Sequence, residues 1–340
     1  MSYKILLENM EKMSTHKALV IHTLQQPPSI IERPTPVPKE DEILLKVSIV
    51  GYLVGEVVSY GRDVTQYQVG DRVFAFGSPF SPDSTGTQEY CVVPAWQSAP
   101  LPKGISADEA ATFPLNAMTM VFALFHETGL NLRSPFGADK DECDYSAESI
   151  LIIGGGSATG NFGVQLARIA KFGNIIVVAS KAREAQLKGL GATTVIDRAL
   201  DESQIESQIR DVVGDDLIFA VDCVGRGPGG QTLGVKALSS HKRGVLAALI
   251  KLGDVDESRI GSKSAGYVRN QVLCHTTKYP HITKEFWGVL PNLIENGTLR
   301  PTTFQVVEGL DVETVDTFLD NYSRGLGQTK PHFHLGNTFE

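Results

Sequence analysis

The chain has 340 residues, of which 31 are basic and 39 acidic, for a formal net charge of −8. At about 150 residues per domain this length provides two domains with ample core, which excludes a disulfide-stapled miniprotein. The basic residues are scattered rather than gathered into a stripe, and no run approaches the roughly 18 apolar residues of a membrane span, so neither nucleic acid nor a membrane is an expected partner.

Residues 1–12 precede a more natural start at Met13-Ser14-Thr15-His16 and read as an unstructured extension. Acids interrupt the apolar stretch there, unlike a secretory leader, so a cytoplasmic location is expected. From Lys17 to Pro102, short β-branched or aromatic runs (KALVIH, EILLKVSIV, YLVGEVVSY, RVFAF, QEYCVV) alternate with Pro, Gly and Asp turns. That texture predicts an antiparallel, barrel-like β domain. After Asp108, helical patterns alternate with very apolar short runs, the mark of βαβ units around a parallel sheet. Strands are predicted at Ser149–Ile153, Ile175–Ala179, Thr194–Ile196, Leu217–Val221 and Gly244–Ile250, with helices at Gly163–Lys171, Ala182–Leu190, Glu202–Val212 and Gly230–Leu238. The acidic, aperiodic stretch 133–149 reads as a surface insertion. Glu285–Gly297 has helical spacing apart from Pro291, and FQVVEGLDVETVDTFLDNY adds a strand and a helix. The expected division is one domain over 13–124 and 282–340 and a second over 125–281. Four cysteines, Cys91, Cys143, Cys223 and Cys274, stand far apart without a C-x-x-C pair, so neither a disulfide framework nor a zinc cluster is expected.

The densest chemical signal is ESILIIGGGSATGNFGVQLARIAK. Ile150 to Ile153 predict a buried strand, and a Gly/Ser-rich turn runs from it into an amphipathic helix whose first amides face an anion. Ala158, Gly160 and Gly163 form A-x-G-x-x-G, a dinucleotide fingerprint with alanine in place of the first glycine. The expectation is that Gly160 leaves room for a pyrophosphate and Gly163 lets the helix pack on Ile152. A P-loop would need Lys after Gly160, where the chain has Asn161, and a hydrolase elbow would need glycine at Thr159. The next strand ends in VVASKAR, so Ser180, Lys181 and Arg183 stand where an NAD site would present a carboxylate to the ribose. A hydroxyl with two cations suits the 2′-phosphate of NADP; the alternative is a solvated first helical turn.

FPLNAMTMVFAL, IIGGGSATGNFGVQLAR, VVASK, LGATTVID and FAVDCVG, in that order and spacing, resemble the medium-chain dehydrogenase/reductase superfamily in its zinc-independent quinone and enoyl reductase branch. The S-A-T-G loop, FPLNAMT and the acidic insertion are similar to fungal trans-acting enoyl reductases that serve polyketide synthases. The resemblance implies an α/β fold, a Rossmann-type doubly wound sheet joined to a GroES-like antiparallel catalytic domain, with a cleft into which NADP(H) projects. It further implies that Gly156, Ser157, Ala158, Thr159, Gly160, Asn161, Phe162 and Gly163 hold the pyrophosphate and that Ser180, Lys181, Ala182 and Arg183 hold the 2′-phosphate. Arg198 would lie against the adenosine, Cys223, Ala247 and Ala248 beside the ribose and nicotinamide, and Lys330 near a strand closing over the cofactor. Thr112, Phe113, Pro114, Leu115, Asn116, Ala117, Met118 and Thr119 would line the substrate side. The implied substrate is a small molecule or acyl thioester, the implied partner a polyketide synthase, and the assembly a monomer or homodimer.

One departure stands out. Relatives carry Ala-Leu-Asn-Pro-x-Asp after the strand written here EILLKVSIV, and this chain runs from Val50 directly into GYLVGEVV. Either a coding segment has been lost there or one wall of the substrate side is open. No Gly-His-Glu pair or four-cysteine lobe is present, so no metal is expected, and His332 and His334 read as ordinary edge residues sharing a strand face. Cys223 reads as a small buried hydrophobe and His126 as a helix-face residue; Tyr52 and Tyr90 could donate a proton, but no spacing selects a general acid. An NADPH-dependent reductase of an activated double bond is the favoured reading. The alternatives are a quinone oxidoreductase and a non-catalytic NADPH-binding sensor or partner protein.

Overall fold

The computed structural model describes residues 15–23, 26–50, 53–137, 140–225, 230–324, 326 and 329–336. The extension expected over residues 1–12 and Tyr52 lie outside them. Contacts divide the chain into two units, the described parts of Met1–Leu115, Leu290–Glu295 and Pro301–Glu340, and those of Asn116–Val289 and Asn296–Arg300. Residues 282–289, grouped with the first domain on sequence, sit in the second unit.

In chain order the described elements begin with strands β1 (Thr15–Val20), β2 (Ser29–Pro34), β3 (Glu42–Val50), β4 (Leu53–Tyr60), β5 (Arg72–Ala75), β6 (Tyr90–Pro94) and β7 (Ser98–Pro100). Helices α1 (Ala107–Ala111) and α2 (Phe113–Phe125) follow. The alternating part then runs β8 (Ser149–Ile153), α3 (Ala158–Ile169), β9 (Asn174–Ala179), α4 (Glu184–Leu190), β10 (Thr194–Asp197), α5 (Glu202–Val213), β11 (Phe219–Asp222), α6 (Thr232–Ala237), β12 (Gly244–Ala248) and β13 (Tyr267–Gln271). The chain finishes with α7 (Pro280–Glu295), β14 (Phe304–Glu308), α8 (Val312–Ser323) and β15 (Lys330–His334).

The first unit is a two-stranded β1-β2 ribbon and a seven-stranded sheet ordered β14-β15-β3-β4-β5-β7, with β6 paired on β3. All its described pairings are antiparallel except β14 with β15. Its core takes one face of β3 and β4, with Ile43, Leu45, Val47, Leu53 and Val57 buried together with Val73 and Phe333. A capping box starts α1: Ser106 Oγ accepts the Glu109 N–H and the Glu109 carboxylate accepts the Ser106 N–H.

The second unit holds a six-stranded parallel sheet ordered β10-β9-β8-β11-β12-β13. Covered on both faces, β8, β9 and β11 are almost wholly buried, which explains their unbroken apolar runs. The order reverses around β8: β9 lies on one side and β11 on the other, and a crevice forms outside the strand carboxyl ends at such a switch point. The insertion at 133–149 is tied down: Tyr145 Oη accepts the Arg133 N–H at 2.7 Å, its ring stacks on Phe172 at 4.9 Å, and Cys143 is buried. Helix α7 continues through Pro291 because Ile282, Phe286, Leu290 and Ile294, four apart, are buried on both sides of it. No described helix is long and apolar enough to cross a membrane.

Candidate active site

Strand β8 ends in a turn built by three glycines. Gly154 has φ +82°, and a Cβ there would also lie 2.6 Å from Val224 Cγ1. A Cβ on Gly155 would run into the Val177 side chain. Gly156 is open: its Cβ would meet only Ala179 Cβ at 3.6 Å and Arg183 Cγ at 3.7 Å. Ser157 then caps α3, its Oγ accepting the Gly160 N–H at 3.0 Å, while the amides of Ala158 and Thr159 begin the helix with no intrahelical acceptor. Such a helix start suits an anion, and the open face at Gly156 leaves it approachable, so the turn fits the pyrophosphate of a dinucleotide.

The two signature glycines each have close protein neighbours. A Cβ on Gly160 would collide with the Gly154 carbonyl oxygen and lie 2.7 Å from Gly155 Cα, so Gly160 seats the helix on its own turn. A Cβ on Gly163 would lie 2.9 Å from Met120 Cε of α2. Phe162 is fully buried. Asn161, also buried, donates from Nδ2 to the carbonyls of Gly155 (2.7 Å) and Ser157 (3.0 Å) and accepts from Gln186 Nε2 at 3.2 Å.

At the end of β9, Ser180 leads into a 3-10 turn over Lys181–Arg183 that includes Ala182. Lys181 and Lys188 share the Glu184 carboxylate at 2.6 and 3.0 Å, and these two lysines hold that carboxyl below its usual range. Arg183 instead donates to the neutral Gln186 Oε1 at 2.8 Å. On the neighbouring strand end, the Arg198 N–H bonds the Ala179 carbonyl at 2.8 Å and its side chain is exposed. Gln186 had no sequence signal of its own beyond standing three residues after Arg183.

The carboxyl end of β11 completes this edge. Asp222 is buried, and burial pushes its carboxyl above the usual range against the opposing pull of the Val224 (2.9 Å) and Gly225 (2.7 Å) N–H donors to Oδ1. Cys223 bonds Ile153 O through its N–H at 3.0 Å, and burial drives its thiol strongly up, so it holds no nucleophile. Ala247 and Ala248 are fully buried on β12, Ala248 in register with Asp222. In the α2 segment, Asn116 Oδ1 accepts from Thr159 Oγ1 at 3.0 Å, Thr119 bonds the Cys274 thiol, and Phe113, Ala117 and Met118 are fully buried.

Comparison with known proteins follows the same lines. No family model matches. The chain is 27% identical over 349 residues to the trans-enoyl reductase tndF of Aspergillus flavipes, across 93% of this chain and 97% of that one. It is 34% identical over 175 residues to the enoyl reductase component lovC of the lovastatin nonaketide synthase of Aspergillus terreus, across 50% of this chain and 46% of that one. The CurK enoyl reductase superposes with TM-score 0.72 at 16% identity over 94% of this chain and 99% of that one. A mycobacterial protein solved with NADPH gives TM-score 0.69 at 18% identity, again over 94% and 99%. The chain is thus similar in sequence to fungal trans-enoyl reductases and shares its fold with solved enoyl reductases.

The first unit carries the segment's other residues. Pro114 and Leu115 join Leu53, Ala75, Phe76 and Thr87 around an apolar hollow of about 130 Å³. Leu53 opens β4, and β3 and β4 pair directly, Ile49 against Val54, with residues 51 and 52 outside the described set. Thr112 is buried and bonds the Glu109 carbonyl at 2.8 Å. Lys330 lies in this unit, its ammonium 5.5 Å from the Tyr322 ring centroid and its pKa lowered by burial. A larger hollow of about 410 Å³ in the second unit, lined by His126, Arg133, His281 and Glu285 among others, contains none of the turn's residues.

His332 and His334 are not edge residues. Strand β15 lies between β14 and β3, His332 is fully buried with its ring stacked on Phe304 at 4.9 Å, and both imidazoles reach Asp108 Oδ1 at 2.9 Å. Asp108 precedes His332 by 224 positions, so local spacing could not reveal it. Among the described residues no group of three or more His, Cys, Asp and Glu could hold a metal ion.

Proposed function

We propose that the chain is an NADPH-dependent, zinc-independent reductase of an activated carbon–carbon double bond, acting on an acyl thioester of the kind carried by a polyketide synthase. The observation that carries this reading is the open Gly156 turn with the Arg183 stem beside it and no carboxylate at the end of β9 reserved for a ribose hydroxyl. The names of the fungal relatives support the substrate class.

When bound, the dinucleotide supplies a hydride to an electron-poor carbon. The helix start at Ala158 and Thr159 would hold the pyrophosphate, with Ser180, Lys181, Arg183 and Arg198 on the adenosine side. The small residues at Cys223, Ala247 and Ala248 would leave the nicotinamide room at the strand ends. The acceptor's developing enolate needs nearby hydrogen-bond donors and a site that excludes water. Tyr90 keeps its proton more tightly than an exposed tyrosine, because burial raises its pKa, and no residue is assigned as the proton donor.

The test is NADPH oxidation in the presence of a trans-2-enoyl thioester, a quinone or no acceptor. Consumption with the thioester is the expected result. Consumption with the quinone alone would replace it by quinone reduction, and tight NADPH binding without turnover on either acceptor would replace it by the non-catalytic alternative.

A further inference from the structure

We propose, resting on the dinucleotide reading of this turn, that Gln186 and Asn161 set the preference for a 2′-phosphate by holding the Arg183 guanidinium in place without neutralising it. Four cations stand near the end of β9, and they are not equivalent. Lys181 and Lys188 both point to the Glu184 carboxylate, which offsets their charge. Arg183 has only the uncharged carbonyl oxygen of Gln186 as a hydrogen-bond partner among the described residues, and Arg198 lies exposed on the neighbouring strand end.

The orientation of the relay is fixed by chemistry. Asn161 sits in the first turn of α3 with its amide nitrogen against two backbone carbonyls, Gly155 O and Ser157 O, which can only accept. Its oxygen must therefore face Gln186, and it does so opposite Gln186 Nε2 at 3.2 Å. Gln186 then has its own oxygen left for Arg183, and it accepts from Nη1 at 2.8 Å. Thus the carbonyl of Gly155, inside the turn, is linked through two side-chain amides to a half-buried guanidinium whose stem borders Gly156. A carboxylate at position 186 would accept from Arg183 in the same way but pair its charge, and it would set an oxygen against Asn161 Oδ1 where Gln186 donates, whereas an amide leaves the charge and most of the fork available to a phosphate. Gln186 and Asn161 act through Arg183 and are positioning residues.

The probe is calorimetric titration of the full chain with 2′,5′-ADP and with 5′-AMP, which lacks the 2′-phosphate. The native chain should prefer 2′,5′-ADP. Gln186→Leu should weaken 2′,5′-ADP by about tenfold, the scale of one hydrogen bond to a charged group, with 5′-AMP unchanged. Gln186→Glu should reduce the ratio further, because its carboxylate pairs the guanidinium charge and removes the donor to Asn161. If both Gln186 variants keep the native ratio while Arg183→Ala collapses it, Arg183 works without the relay and the proposal falls with the NADPH reading intact. If Arg183→Ala keeps the ratio, or the native chain shows no preference, the NADPH reading falls and takes the relay with it.

Discussion

Glycine spacing marked the turn in the sequence, but the role of each glycine depends on which atoms approach its hydrogen. Gly160 faces the turn's own backbone and Gly156 faces open space, so the two separate folding from binding. Gly156→Ala should fold normally, since its Cβ meets ordinary contacts, and should weaken NADPH by about tenfold through crowding of the pyrophosphate. Gly160→Val should instead lower stability by about 1–3 kcal/mol or more, because the clash is with backbone that cannot rotate away. Thermal unfolding and NADPH titration of the two variants check both outcomes; a fully stable Gly160→Val protein would contradict the assignment. His332 offers a second single-residue test. Burial holds its imidazole below the ordinary value of about 6.5, and the groups facing it are Asp108, His334, Lys330 and, through His334, Glu308. With the folded pKa depressed, its contribution is present above the unfolded pKa and is lost as pH falls through the folded one. Between about pH 7.5 and about pH 5.5 the native unfolding midpoint should therefore fall more steeply than that of His332→Gln, and parallel slopes would contradict this.

At the scale of elements, the parallel strands were legible because a sheet covered on both faces demands unbroken apolar runs, as in Ser149–Ile153. Strand β13 was not, since YVRNQ is half-buried on a sheet edge and carries no apolar run. Asp222 was visible only within the motif FAVDCVG. Its carboxylate is what ties Val224 and Gly225 to the end of β11, and Val224 in turn packs where a Gly154 side chain would be. Asp222→Ala leaves two part-buried N–H groups without their charged acceptor and should cost about 1–3 kcal/mol. Denaturant unfolding measures it, and a midpoint equal to the native one would show that the turn holds itself.

At the scale of the whole molecule, fold class was readable from texture and motif order, while the consequence of the short β3-β4 connection was not. The two strands pair directly, Ile49 against Val54, so the sheet closes across this short connection. Position within the site matters steeply, since a displacement of about 1 Å costs on the order of a hundredfold in rate. Native turnover on a trans-2-enoyl thioester should be well below the typical value of about 10 per second. Grafting a relative's segment between Val50 and Gly51 should raise it without changing NADPH affinity, and a native chain already turning over at that typical rate would show the segment to be dispensable. The cofactor half stands apart from that question. Calorimetric titration of the native chain with NADPH and with NADH tests it directly: NADPH should bind at least about tenfold more tightly, the scale of one charged hydrogen bond, and equal affinities, or no binding of either, would contradict the account.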